Sequence, residues 1–416
     1  MTLTHDRDVL RKLARQVRDI ADNPDMPARK RRWYKLNALK PERPLVLCFP
    51  EGAWGELLPQ SVLECTDERL RGWEWGLRAK VYWWEHTRDD HAVEPIFDVN
   101  WHVKTSDFGV EIPYKHGENR GSYVWDPPLK DLDRDMQKLH FRELSVDRAA
   151  TQETLNLAGE LFGDILPARL RGGFWWSMGL TWSAIQLIGL EQLMLLPYDN
   201  PKGLHRLMKW LSDEMLNVIL WHEREGLLTL KNETDYVGSG GVAYTDELPQ
   251  KDWKPGMPVR LMDIWGFGES QETVQCSPAM FAEFVLPYQA PLLERFGLNC
   301  YGCCEGVHLR MDDILRRVPR LRRVSVAPWA DQRIMAEKLA GKCVFSRKPN
   351  PALICVDFDE DAIRKDLRET LSIAGALALE IIMKDTHTVQ NQPQRVTRWV
   401  QMALEEAQEY AAGKRR

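Results

Sequence analysis

The stretch Asn299-Cys300-Tyr301-Gly302-Cys303-Cys304-Glu305-Gly306 places three thiols close together at the end of an apolar run. Side chains alternate along an extended strand, so Cys300 and Cys304 share a face and Cys303 takes the other, unless the chain turns at Gly302. Thiolates suit zinc, and a catalytic zinc takes three protein ligands and leaves one position open. Other donors follow other apolar runs: Glu269 and Glu272, Asp331, Asp385 and His387. Cys343 lies near the beginning of its run, which in a barrel belongs to the stability face. The same cysteines also read as small buried core residues, and no paired CxxC motif argues otherwise.

A second constellation is Trp265-Gly266-Phe267-Gly268-Glu269-Ser270-Gln271-Glu272. Two acids flanking Ser-Gln suit metal binding, substrate orientation or acid/base work; they equally suit the capping of the helix that starts at Pro278. The glycines are not a phosphate loop, since neither GxxxxGK[ST] nor GxGxxG is present. The chain has 17 Trp against 12 Phe and 10 Tyr. Trp54 and Trp101 follow apolar runs and Trp265 and Trp329 lie in later loops; Trp54, Trp101 and Trp265 are expected to wall an apolar pocket. Trp175 and Trp176 fall within such a run, and Trp73, Trp75, Trp83 and Trp84 fill a helix face. His222, His308 and the basic run 317–323 read as structural or solvated.

These residues need elements to hold them. Eight apolar runs alternate with amphipathic segments: 44–48, 94–99, 173–177, 227–231, 298–303, 323–327, 342–346 and 378–384. Leu204, Leu207, Leu211, Met215 and Ile219 recur at helical spacing, and Asn200-Pro201 and Ser277-Pro278 are helix-start signals. The alternation predicts an α/β fold, a (β/α)8 TIM barrel, as one domain over 1–416. Residues 1–43 form an N-terminal helical extension. Two long insertions, 101–143 and 233–272, are candidate lids or binding loops, and the run 260–265 is assigned to the second.

The 416 residues carry 56 Lys+Arg against 61 Asp+Glu, a net charge of −5. The only basic tail is Lys414-Arg415-Arg416, so nucleic acid is not an expected partner. The start has no apolar stretch and no run is suited to span a bilayer, so a cytoplasmic chain is expected with no membrane partner. Eight cysteines then read as free thiols or ligands.

The segments 268–286 (GESQETVQCSPAMFAEFVL), 301–305 (YGCCE), 322–328 (RRVSVAP), 348–351 (KPNP) and 33–46 (WYKLNALKPERPLV) resemble the uroporphyrinogen decarboxylase-like TIM barrels. Within these the chain is most similar to the corrinoid-dependent methyltransferases, particularly the methyltransferase components of aromatic O-demethylases. The resemblance implies a zinc ion held by a His-x-Cys pair plus a later ligand. Carried over by position, Cys304 or Cys303 takes the Cys role. Tyr301 or Gly302 stands where the His belongs. The third ligand then comes from Cys343, His387, Glu272 or the other thiol of the pair.

The implied reaction moves methyl from a methoxylated aromatic to the cobalt of a corrinoid on a separate protein. Zinc would bind the ether oxygen, Trp54, Trp101, Trp265 and Tyr301 would line the substrate site, and Glu269 or Glu272 would orient the ring or move the proton. Three readings compete: a metal-free decarboxylase, a glycoside hydrolase using Glu272 and Glu51, and a non-catalytic barrel with a structural zinc.

Overall fold

Eight short strands in parallel pairings carry the architecture of the computed structural model, which describes residues 2–117 and 123–413. They are β1 (Leu45–Cys48), β2 (Phe97–Asn100), β3 (Ala168–Arg171), β4 (Trp265–Gly268), β5 (Leu298–Tyr301), β6 (Leu321–Val326), β7 (Val344–Arg347) and β8 (Leu379–Met383). Six form one sheet in the order β1-β8-β7-β6-β5-β4, and β2 pairs with β3. The tail 414–416 and the tip 118–122 of the first insertion lie outside the described residues.

Among the described residues no ladder joins the six strands to the β2–β3 pair, so the fold is α/β and barrel-like without a closed ring of hydrogen bonds. The two outer edges find other partners, as buried backbone groups must. Along β1, Val46 N–H donates to Asp90 and Cys48 N–H to Asp89, each at 2.9 Å. Along β4, the Phe267 carbonyl accepts from Met178 N–H at 2.6 Å.

Six of the eight expected runs overlap strands; two do not. The run 173–177 is not a strand, because the chain leaves β3 at Arg171 and turns to cover the β4 edge. The run 227–231 buries Leu227 and Leu228 but joins no ladder. Conversely β4 lies inside the expected 233–272 insertion, where its glycines disguise it. Those glycines are required by close packing: a Cβ on Gly266 would stand 2.4 Å from Asn299 Oδ1 and 2.6 Å from Phe296 Cγ.

The helix Pro201–Arg224 begins where the Asn-Pro signal places it, with Asn200 Oδ1 accepting from Gly203 N–H at 2.8 Å. It buries Leu204, Leu207, Leu211 and Ile219, while Met215 stays half-buried. Ser277 likewise caps Pro278–Phe284. In the first insertion, Val103–Thr105 pairs with Leu144–Val146 and Tyr114–His116 with Tyr123–Trp125, both antiparallel. No described helix is long and apolar enough to cross a membrane.

The N-terminal segment forms helices Thr2–Ala21 and Met26–Asn37. Asn37 ends the second and reaches the strand interior: its Nδ2 donates to the carbonyls of Val242 at 2.9 Å and Tyr244 at 2.7 Å. There the Gly238-Ser239-Gly240-Gly241 loop dips between the strands. Gly238 and Gly240 have φ of +61° and +102°, and a Cβ on Gly241 would strike the Arg323 guanidinium. Only glycine allows the loop that deep.

Candidate active site

A polar column rises through the strands toward their C-terminal ends. Arg323 on β6 and Glu380 on β8 are both buried and paired, with Nε donating to Oε1 at 2.8 Å. Arg323 also donates to Asn37 Oδ1 at 2.7 Å, and Ser346 Oγ donates to Glu380 at 2.5 Å. Lys348, just past β7, donates to that same Ser346 Oγ at 2.5 Å. Burial pulls its pKa from 10.5 down to about 7, because the charged ammonium is taken out of water.

Above the column sits a second cluster. Lys384, just past β8, donates to Ser239 Oγ at 3.3 Å and to Tyr236 Oη at 3.2 Å, and its ammonium is 3.5 Å from Glu51. Ser239 Oγ donates to Cys303 Sγ at 3.4 Å, and the Cys303 and Cys304 sulfurs are 3.5 Å apart. The turn that frees this pair from strand alternation is at Gly302, with φ +88°.

The Cys304 thiol as donor pulls the Cys303 pKa down; burial opposes this, and Lys384 adds to the lowering. Cys303 is therefore the more acidic thiol of the pair, and the same hydrogen bond, with burial, pushes Cys304 up. Burial works against the Lys384 charge, but Tyr236, Cys303, Glu51 and Asp385 outweigh it and raise its pKa. Burial likewise lifts the Tyr236 phenol to about 12, with Lys384 opposing.

Beside this cluster lies a cavity of about 440 Å³. Phe174, Trp175, Trp176, Trp265 and Phe267 supply its rings, and Lys231 and Tyr236 its ionisable groups. Trp265, Phe267 and Val237 share one apolar cluster with Cys300 and Cys303, so the cavity wall and the thiols are packed together. Trp176 and Tyr236, 48% and 43% exposed, form its rim. Tyr236 belongs to both regions: its ring lines the cavity while its hydroxyl meets Lys384.

The expected site residues divide. Trp265 lines the cavity; Trp101 lines a neighbouring one of about 290 Å³ that shares Gly173 and Phe174. Trp54 packs instead among Trp75, Tyr82 and Trp83. Tyr301 is fully buried, donating to Gln289 Oε1 at 2.6 Å, and lines no cavity described here.

Glu269 accepts from Ser177 at 2.9 Å and Glu272 from Thr181 at 2.6 Å, fastening the β4 loop to 177–181. Burial, then the nearby Glu272 and Glu305, push the Glu269 pKa well up.

The metal set of the resemblance is not assembled. Cys343 precedes β7, at the opposite strand end from Cys303 and Cys304, its Sγ 3.5 Å from the Leu321 carbonyl. His387 is exposed and packs on Gly52. Asp385 Oδ2 is 3.6 Å from Cys304 Sγ. Even so, no group of three or more His, Cys, Asp or Glu among the described residues is arranged to hold a metal ion. The residues present thus do not fit a three-ligand zinc site.

Sequence reasoning missed Lys231, Tyr236 and Lys384. Two of them carried a signal: Lys231 and Lys384 each end an apolar run, where a charge marks the chain's exit from the core.

No family model matches the chain, and no curated protein matches it. Among solved structures, a methyltransferase from Methanosarcina mazei aligns over 92% of this chain and 98% of its own length. The identity is 12% and the TM-score 0.49, a likeness that decides neither activity nor substrate.

Proposed function

We propose that this chain is a methyltransferase that takes the methyl group of a methoxylated aromatic and delivers it to the cobalt of a corrinoid carried by a separate protein. The observation that carries the reading is the double membership of Tyr236, which walls an aromatic cavity and touches the Lys384–Ser239–Cys303 chain. The rings of Trp175, Trp265 and Phe267 offer flat faces to an aryl ether. The rim at Trp176 and Tyr236 leaves the methyl carbon reachable from outside.

Ether cleavage is slow because the C–O electron pair leaves on a phenolate oxygen. With its pKa near 12, Tyr236 keeps its proton at neutral pH and can donate a hydrogen bond to the charge growing on that oxygen, the departing phenolate taking its proton from solvent. The Tyr236 oxygen in turn accepts from Lys384, held by Ser239 and Glu51, which strengthens that donor. The corrinoid supplies the nucleophile that accepts the methyl group. No step here passes through zinc, whose ligands are not assembled. A decarboxylase of a many-carboxylate substrate fits less well, since Lys231 is the one cation among the cavity's lining residues.

The test is incubation of the protein with a panel of methoxylated aromatics and cob(I)alamin. One phenol formed per methylcobalamin supports the reading. Neither product from folded protein across the panel contradicts it.

A further inference from the structure

Lys231 has no place in the methyl-transfer step above, yet it faces the same cavity. Its ammonium lies 5.8 Å from the Trp175 ring centroid, and the side chain lines the 440 Å³ cavity. No carboxylate lines that cavity. The acids nearest in sequence have other hydrogen-bond partners: Asp235 is paired with Arg171 and its charge reaches Lys231 only without contact, and Glu233 accepts from Arg169 at 2.8 Å. Among the described residues, no carboxylate forms an ion pair with Lys231.

Two other interior cations do meet an acid, while Lys348 is satisfied by the Ser346 hydroxyl. Arg323 meets Glu380, and Lys384 meets Glu51. A half-buried lysine facing aromatic walls with no carboxylate in contact leaves room for an anion. The other ionisable lining group, Tyr236, is neutral and sits toward Lys384, so it does not supply one.

We infer that the cavity takes a planar aromatic monocarboxylate, its ring against Trp175, Trp265 and Phe267 and its carboxylate on the Lys231 ammonium. The inference rests on the reading of this cavity as the substrate site and narrows the methyl donor to an anionic ring such as a methoxybenzoate. A carboxylate held at Lys231 leaves the ring's other substituents free to meet Tyr236, which lines the same cavity. Cation and carboxylate then neutralise one another out of water, where a charged hydrogen bond is strongest.

The experiment is calorimetric titration at pH 7 with 4-methoxybenzoate, benzoate and neutral 1,2-dimethoxybenzene. The proteins are the wild type, Lys231→Met and Lys231→Arg, each checked for an unchanged melting temperature. The two carboxylates should bind the wild type at least tenfold more tightly than the neutral ether. Lys231→Met should abolish that preference and Lys231→Arg should retain it.

Equal wild-type affinity for all three ligands overturns the inference, whether or not a variant folds. So does a preference that survives Lys231→Met, or a lack of any binding. The readout needs no methyl transfer, which separates this inference from the proposed function. Carboxylate binding through Lys231 with no methyl transferred from any ether leaves the inference standing and removes the methyltransferase. Transfer from dimethoxybenzene as readily as from methoxybenzoate does the reverse.

Discussion

The strand interior and the cavity beside it treat charge in opposite ways. In the column from Arg323 through Glu380 and Ser346 to Lys348, each buried polar group has a named partner on one of the strands or on the N-terminal helix. In the cavity, the Lys231 ammonium has aromatic faces and no carboxylate in contact, and two rings stand on an open rim. A satisfied network fixes structure, whereas an unsatisfied group beside open volume marks where something else binds. Tyr236 and Lys384 stand where the two regions meet.

The largest effect should come from breaking the column. Glu380→Gln leaves the Arg323 guanidinium buried without its counter-charge, a loss of about 3–5 kcal/mol. Chemical denaturation should show it, while ligand affinity of the folded fraction stays unchanged.

Next comes a pH dependence. Lys348 is held near pKa 7 when folded and returns to 10.5 when unfolded. Between those values the unfolded chain binds the extra proton, so stability rises with pH. The gain from pH 7 to 9 should be up to about 2 kcal/mol, since one pKa unit is about 1.4 kcal/mol. Denaturant midpoints of wild type and Lys348→Met across that range should differ by this slope; parallel curves would contradict it.

The cavity should respond in binding rather than in stability. Trp176 is 48% exposed and meets Phe267 edge-on at 5.2 Å. Trp176→Ala should weaken aromatic ligands by about 0.5–1.5 kcal/mol, with little change in melting temperature. The smallest effect belongs to Cys343→Ser, whose thiol lies at the far strand end; methyl transfer should be unchanged within error. A matching loss there and in Cys304→Ser would restore the shared metal site.

Strands were legible where branched apolar residues fill a buried ladder. Leu45–Cys48 and Leu379–Met383 are buried throughout and stand near their expected limits. The run 173–177 misled because Phe174, Trp175 and Trp176 are apolar for the sake of a cavity, not a sheet. Trp265–Gly268 hid behind glycines that exist so neighbouring side chains can approach. The vicinal thiols were legible as a cluster, and their contact with Ser239 was not, because it depends on a loop descending from 64 residues away. Glu269 and Glu272 looked catalytic from their loop, yet each is engaged with the 177–181 segment. Partnerships of that kind are set by packing between distant segments, which residue spacing does not report.

The most direct measurement is single-turnover phenol formation by wild type and Tyr236→Phe with a methoxylated aromatic and cob(I)alamin. The substitution keeps the ring that lines the cavity and removes the hydroxyl that would hydrogen-bond the departing oxygen. The account predicts a rate about 100-fold lower or worse, ligand affinity within about twofold, and a wild-type rate flat from pH 7 to 9, since a phenol with a pKa near 12 stays protonated there. An undiminished rate in Tyr236→Phe would contradict it.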